Sequence, residues 1–331
     1  MHLRFIYHWS AMNLSIVIPV YNEVESLQPL HDCIRQTMAA RPDTEWEAVY
    51  VDDGSSDGSL EILEKLTLDD PMHARAVELR RNFGQTAAIA AGIDHSSGEV
   101  IVLLDADMQN DPADIPAMLE KIEQGYDVVS GWRVKRQDKF TTRVLPSKMA
   151  NGLISLVTGV HLHDYGCTLK AYRREVLTGF RLYGEMHRFI PAYANSVGAK
   201  MAEMPVRHHP RRYGRTKYGL TRTMKVLLDL FTVKFLISYA NKPIYLFGGA
   251  GISMMAISMV TMLYLLVRRL VEGTSVTRSP FFSISAMFLI LGFQSILMGL
   301  IAELLVRTYH EAQHKPTYTI KRVYGTPALP E

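Results

Sequence analysis

Residues 244–267 run for 24 positions without a charged side chain, and residues 281–302 for 22 more. Since about 20 apolar residues span the hydrocarbon core of a bilayer, each run is long enough to cross one. This restricts the fold more than any other feature, because backbone in hydrocarbon must satisfy its own hydrogen bonds and both runs must therefore be helices. Lys242 and the pair Arg268-Arg269 bound the first run, and Glu303 and Arg307 follow the second. The linker over 268–280 is short, so the two form a hairpin whose flanking segments share one side of the membrane. Lys225, Lys234 and Lys242 before the hairpin and Arg307, Lys315, Lys321 and Arg322 after it outnumber the three arginines of the linker. That asymmetry puts the flanking segments in the cytoplasm.

The rest of the chain, 331 residues in all, has room for a sizeable core. A formal charge of +3 implies neither a nucleic-acid polyelectrolyte nor an acidic tail. Two cysteines, Cys33 and Cys167, lie far apart with no zinc or disulfide spacing, which fits a reducing compartment. The first twelve residues read as an extension with no secretion signal, and either Met1 or Met12 could be the start. Residues 14–20, L-S-I-V-I-P-V, form a nearly continuous β-branched run, the pattern of a strand buried on both faces. Helical spacing follows over 25–40, then strand 47–51, helix 59–68, strand 74–79, helix 85–95, strand 99–104, helix 115–124 and strand 127–130. Such alternation predicts an α/β domain with a doubly wound, mostly parallel sheet over residues 13–219.

In such sheets ligands bind beyond the carboxyl ends of the strands, so the residues after each strand share one surface. They are Tyr21-Asn22-Glu23, Asp52-Asp53, Arg80-Arg81-Asn82, Asp105-Ala106-Asp107 and Gly131-Trp132-Arg133. Acids and cations meet there, which suits a metal-chelated phosphorylated ligand. Asp105 and Asp107 at alternate positions of an extended backbone point to one side, where hard oxygen ligands can share a divalent cation. A capped strand-to-helix turn is the plain alternative. Neither G-x-G-x-x-G nor G-x-x-x-x-G-K-[ST] is present, so dinucleotide redox chemistry and a P-loop ATPase are not supported.

Beyond residue 133 the chain becomes basic, with an apolar helix predicted over 149–157 and a cationic, glycine-containing loop from Arg207 through Arg211, Arg212 and Arg215 to Lys217. The histidines at 161, 163, 208 and 209 form no convincing ligand set. Residues 220–238 read as an amphipathic helix, and residues 220–243 as the juxtamembrane segment. Transmembrane helices are expected over 244–267 and 281–306, separated by the linker 268–280 and followed by a cytoplasmic tail over 307–331.

Taken together, S-I-V-I-P-V-Y-N-E, Val51-Asp52-Asp53-Gly54-Ser55-Ser56-Asp57-Gly58, Arg81-Asn82-Phe83-Gly84-Gln85, Asp105-Ala106-Asp107-Met108-Gln109 and Arg211-Arg212-Tyr213-Gly214-Arg215-Thr216-Lys217 resemble the family 2 glycosyltransferases of the polyprenyl-phosphate type. The stretch from Asp164 to Arg174 looks most like the undecaprenyl-phosphate aminoarabinose transferases, whereas polyprenyl glucosyltransferases tend to carry an Asp where Cys167 stands. The resemblance implies a GT-A type domain at the inner membrane that moves a sugar from a UDP- or GDP-linked donor onto a polyprenyl phosphate, expected to be undecaprenyl. It implies that Pro19, Tyr21 and Glu23 hold the nucleoside, with Gln85 in the same site, and that Asp52 or Asp53 reads the base. Asp105, Asp107 and Gln109 would bind Mg2+ or Mn2+ on the donor diphosphate. Arg133 and Arg143 would face the acceptor phosphate, Arg211 and Lys217 the diphosphate, and Asp164 would orient one of these cations.

A lipid phosphate is largely dianionic at neutral pH, so its attack with inversion needs no dedicated base. Two rivals differ in what they require. A processive polysaccharide synthase expects more spans and a Gln-x-x-Arg-Trp motif, and a nucleotide-binding membrane scaffold expects no turnover. No nucleic-acid partner is implied; membrane lipid is, and a homo-oligomer is left open along with the sugar and the base.

Overall fold

The computed structural model describes residues 14–134, 152, 154–155, 158–177, 186–210, 244–273, 275–277, 279–312 and 317–325. The expected extension over 1–12, the juxtamembrane helix, Arg143, Arg211 and Lys217 lie outside the described residues, as does most of the helix expected over 149–157. The chain divides into two units, residues 1–230 with 316–331, and residues 231–315.

In the first unit the β-branched run becomes β1 (Leu14–Val20), and the alternation continues through α1 (Val24–Met38), β2 (Trp46–Asp52), α2 (Ser59–Asp69), β3 (Ala74–Leu79), α3 (Gln85–Asp94), β4 (Val100–Leu103), α4 (Ile115–Glu123) and β5 (Val128–Trp132). Then come β6 (Lys170–Arg173), the short α5 (Arg174–Leu177), α6 (Ile190–Ser196) and β7 (Met201–Pro205). Strand β8 (Ile320–Tyr324) follows the second unit, and the sheet order is β7-β5-β6-β4-β1-β2-β3-β8. Four pairings are parallel, β1 with β2 and β4, β2 with β3, and β5 with β7. Three are antiparallel, all made by β6 or β8. The expected mostly parallel doubly wound sheet is therefore present, with β6 reversed inside it and β8 reversed at its edge.

Both faces of the central strands are covered, as their unbroken apolar runs require. Leu27, Leu30, Ile34 and Met38 of α1 pack with Ile16, Ile18 and Tyr50 on one face. Helix α3 closes on the other face, where Gly92 lies so near Val17 that any side chain there would collide with it. At the far edge, β8 is held to β3 by more than its ladder. Lys321 Nζ and Tyr324 Oη reach Glu78 at 2.7 and 3.1 Å, and Tyr318 Oη donates to Asp94 at 2.7 Å. Burial together with the hydrogen bonds to Glu64 and Glu78 pushes the Tyr324 phenol up to about 12.

The second unit contains α7 (Ile244–Glu272) and α8 (Pro280–Ala312). Within them, 246–272 and 280–302 are long and apolar enough to cross a membrane, and only 17 % of either window is buried, too little for core helices of a soluble protein. The two helices meet through small residues. A Cβ on Gly292 would stand 2.7 Å from the Gly251 carbonyl oxygen, so glycine at both positions lets the backbones touch. Ser258 Oγ donates to Ser285 O at 2.7 Å and Ser285 Oγ to Ser258 O at 2.8 Å. Ser295 Oγ adds a third bond, to Phe247 O at 2.8 Å. Such bonds supply the cohesion that apolar contact cannot provide in lipid.

Candidate active site

The loops after β1 and β2 are laced together by hydrogen bonds. Asn22 N donates to Ser55 Oγ at 3.0 Å, Ser56 N to Asn22 Oδ1 at 2.8 Å, and Glu23 N to Ser59 Oγ at 2.9 Å. Asp57 accepts Val24 N on one oxygen at 3.1 Å and Ser59 N on the other at 3.0 Å, so one carboxylate serves the amino ends of both α1 and α2. The lacing holds Glu23 buried and Tyr21 exposed at the end of β1, two residues past Pro19.

Asp52 and Asp53 are both buried, and burial raises both carboxyl groups above the usual aspartate range. Their hydrogen bonds oppose that rise and separate their roles. Asp53 accepts Phe83 N at 2.7 Å and Gly84 N at 2.9 Å, one on each oxygen, and so fixes the loop after β3. Asp52 shares Ser55 N between its two oxygens at 3.3 and 3.2 Å, a looser attachment. Gly54, at φ 71°, sits where a Cβ would come within 2.7 Å of the Arg81 and Asn82 backbone. Gly54→Ala is expected to lower stability by more than about 1 kcal/mol, read from the midpoint of urea unfolding.

The aspartate pair follows β4. Gln85, the first residue of α3, donates its side-chain amide to Asp105 Oδ1 at 2.9 Å. Asp107 Oδ1 accepts Gln109 N at 3.1 Å around Met108, whose φ is 56°. All three predicted cation ligands, Asp105, Asp107 and Gln109, lie on this one partly exposed turn. Among the described residues no set of three His, Cys, Asp or Glu side chains is grouped to hold a metal. Two carboxylates and an amide oxygen still fit Mg2+ or Mn2+, hard ions that bind through one or two carboxylates and complete their shell with water and phosphate oxygens.

Arg133 and Asp164 form a bidentate pair. Arg133 Nε donates to Asp164 Oδ2 at 2.7 Å and Nη2 to Oδ1 at 3.0 Å, with both side chains largely buried. Burial disfavours the guanidinium charge, but Asp164 outweighs it and holds Arg133 above its ordinary value, with Asp105 adding to the effect. Gly166 makes room for the fork, since a Cβ there would lie 3.3 Å from Arg133 Nη2. The loop carrying Asp164 is stiffened from inside by Lys170, whose buried amine donates to the carbonyls of Tyr165 and Cys167.

Three contributions went unread in the sequence. Asp57 lies inside a motif without a role attached, Lys170 reads as an ordinary basic residue, and Arg207 and His209 read only as part of a cationic loop. In the structure these last two reach back to Asp111 and Asp114, just after the aspartate turn. The S/T-x-x-E and D-x-S strings that mark caps could have found Asp57; only tertiary contact reveals the others.

The family model for glycosyl transferase family 2 matches residues 15–180. The chain is 40 % identical to dodecaprenyl-phosphate galacturonate synthase of Rhizobium johnstonii over 95 % of its own length and 94 % of that protein. It is 38 % identical to undecaprenyl-phosphate 4-deoxy-4-formamido-L-arabinose transferase of Yersinia pestis, covering 94 % of each. Among solved structures, glucosyl-3-phosphoglycerate synthase of Mycobacterium tuberculosis, bound to Mn2+ and UDP-glucose, aligns with a TM-score of 0.52 at 18 % identity, over 67 % of this chain and 79 % of that one.

Proposed function

Because this chain belongs to glycosyl transferase family 2, we propose that it transfers a sugar from a nucleotide diphosphate onto a polyprenyl phosphate, producing a lipid-linked sugar for the cell envelope. The observation that carries the reading is the Arg133–Asp164 pair, whose guanidinium also feels the charge of Asp105, which supports a cation for an anionic acceptor near the aspartate turn.

In this reading Pro19, Tyr21 and Glu23 hold the nucleoside and Asp52 accepts from the base, since its two oxygens share one long bond from Ser55 N while each oxygen of Asp53 has a short backbone donor of its own. An oxygen of the lipid phosphate attacks the anomeric carbon from the face opposite the diphosphate. The new carbon–oxygen bond forms as the bond to the diphosphate breaks, and the diphosphate leaves with the electron pair. Asp105, Asp107 and Gln109 would hold Mg2+ or Mn2+, which when bound neutralises charge on the leaving group. Arg133 and Arg143 bind the attacking phosphate, and Arg211 and Lys217 face the diphosphate. Asp164 keeps the Arg133 fork oriented, and being paired with it is no free base. Both ends of the two-helix segment return to one folded unit, which supports a single side for that unit, and the excess of Lys and Arg flanking the helices over the linker favours the cytoplasmic side of the inner membrane.

A pH dependence follows from Asp52. Its carboxyl titrates above the usual range because of burial, and the ionised form is the one that accepts from a base N–H. Affinity for nucleoside diphosphate is therefore expected to fall on acidification before an ordinary aspartate would protonate, and Asp52→Asn to flatten the profile. Calorimetry from about pH 4, close to the ordinary aspartate value, up to about pH 8 checks this.

The function itself is tested with purified full-length protein, undecaprenyl phosphate and Mg2+ or Mn2+ against a donor panel. The panel includes UDP-glucose, GDP-mannose and nucleotide-linked galacturonate and 4-deoxy-4-formamido-L-arabinose. A lipid product that yields sugar and polyprenyl phosphate on mild acid treatment is expected with one donor. Tight nucleotide binding without lipid product from any donor would return the chain to the scaffold reading.

A further inference from the structure

The short run after β7 touches both halves of the proposed site. Its first contact continues the β5–β7 ladder, where Pro205 stands opposite Trp132 and Val206 N donates to Trp132 O at 3.0 Å. Trp132 is the residue before Arg133, so this end of the run is bound to the root of the proposed acceptor-phosphate ligand. The next residues cross to the aspartate turn. Arg207 N and Nε donate to the two oxygens of Asp114 at 2.6 and 2.9 Å, and Nη1 lies 3.5 Å from Asp111 Oδ2. His208 pairs with Asn110 in an antiparallel bridge. His209 N donates to the Gln109 carbonyl at 2.8 Å, and its Nε2 shares a hydrogen bond with Asp111 Oδ2 at 3.1 Å.

The contacts of Arg207, His208 and His209 all fall at or just after the three proposed cation ligands, whereas Val206 before them packs into the apolar core. A surface arginine that merely met solvated acids would be expected to hold a carboxylate side chain to side chain; Arg207 instead engages buried Asp114 through backbone and side chain at once. Asn110, buried beneath the bridge, also accepts a weak bond from Cys167 Sγ at 3.8 Å, which ties the same turn to the loop of Asp164.

We propose that Arg207, acting through Asp114 and Asp111, and His209, acting through Asp111 and the Gln109 carbonyl, are positioning residues that hold the Asp105 to Gln109 turn in register with Arg133. The inference rests on the reading of that turn as the cation and diphosphate site. Groups outside the ligand set that fix ligand orientation are commonly worth a further 10- to 100-fold in metal affinity. Without the strap the turn keeps its sequence and its oxygens but loses the outer frame that presents them together. Arg207→Met keeps only the backbone donor to Asp114, whereas Arg207→Lys adds a side-chain cation that cannot span Asp114 and Asp111 as the guanidinium does, so it should sit between the wild type and Arg207→Met.

The test measures free Mn2+ by electron paramagnetic resonance on purified full-length protein, with Mn2+ alone and with UDP or GDP. Arg207→Met is expected to weaken nucleotide-dependent Mn2+ binding by about 10- to 100-fold, Arg207→Lys to recover part of it, and His209→Ala to lose about threefold. Thermal midpoints of the same samples should move little for His209→Ala, which a purely structural strap would not allow if binding changed. If Arg207→Met does not fold, Arg207→Lys and His209→Ala decide. Unchanged Mn2+ binding in the folded variants overturns the proposal, and so does a wild-type protein that binds no Mn2+ with either nucleotide. Wild-type protein that binds Mn2+ and nucleotide but forms no lipid product overturns the transferase reading and leaves the strap standing.

Discussion

Asp107→Ala is expected to lower sugar transfer to undecaprenyl phosphate by about 10²- to 10³-fold, the range seen when one group that stabilises developing charge is removed. The loss should fall on the rate at saturating donor more than on lipid affinity, because the charge in question appears on the leaving diphosphate. Stability should change little. The Asp107 carboxylate is only partly buried, and the bond it makes to Gln109 N is local to the turn. Initial rates alongside a thermal melt distinguish the two effects, and a parental rate in the folded variant would remove Asp107 from the chemistry.

Asp164→Ala should be the most destabilising single change in the site. It strands a guanidinium whose charge burial disfavours and this partner stabilises. Removing one member of a buried ion pair costs about 3–5 kcal/mol, most of it the uncompensated charge left behind. The double variant Arg133→Met, Asp164→Ala should be more stable than Asp164→Ala alone, since the stranded charge goes with it. Denaturant unfolding of the two singles and the double measures the coupling. A double variant no more stable than Asp164→Ala would show that the pair is not a desolvated unit. Arg133→Lys gives the activity counterpart: the cation stays, the bidentate fork is lost, and the KM for lipid phosphate should rise.

The sequence made some of this legible because the signals are local. A β-branched run buried on both faces and an apolar helix beside it are periodic, so β1 to β5 and α1 to α4 appear within a residue or two of their expected limits. Charge-free length marks where α7 and α8 begin, but both helices continue past the expected ends at 267 and 306, to 272 and 312, because charged residues in a last turn do not stop a helix. Strand β6 was hidden because K-A-Y-R carries charge at both ends, yet Lys170 is buried by donating to its own loop. Strand β8, I-K-R-V-Y, reads as tail for a similar reason. Lys321 finds its partner in Glu78, more than two hundred residues away, and no window along the chain can show that. The site divides the same way. Asp105 and Asp107 are read from a strand end and Gln85 only from the family resemblance, whereas the separate duties of Asp52 and Asp53 depend on where Ser55, Phe83 and Gly84 point their amides.

That last strand also orders events during synthesis. Domains fold as they emerge, amino-terminal parts first, but β3 has its outer neighbour only after both apolar helices have been made. Until then the β3 edge offers unpaired backbone to any passing strand. A chain that stops between its two helices is left with that edge open. Closure of the sheet thus reports that both apolar helices have been made, and a product that stops short of β8 keeps an unfinished rim.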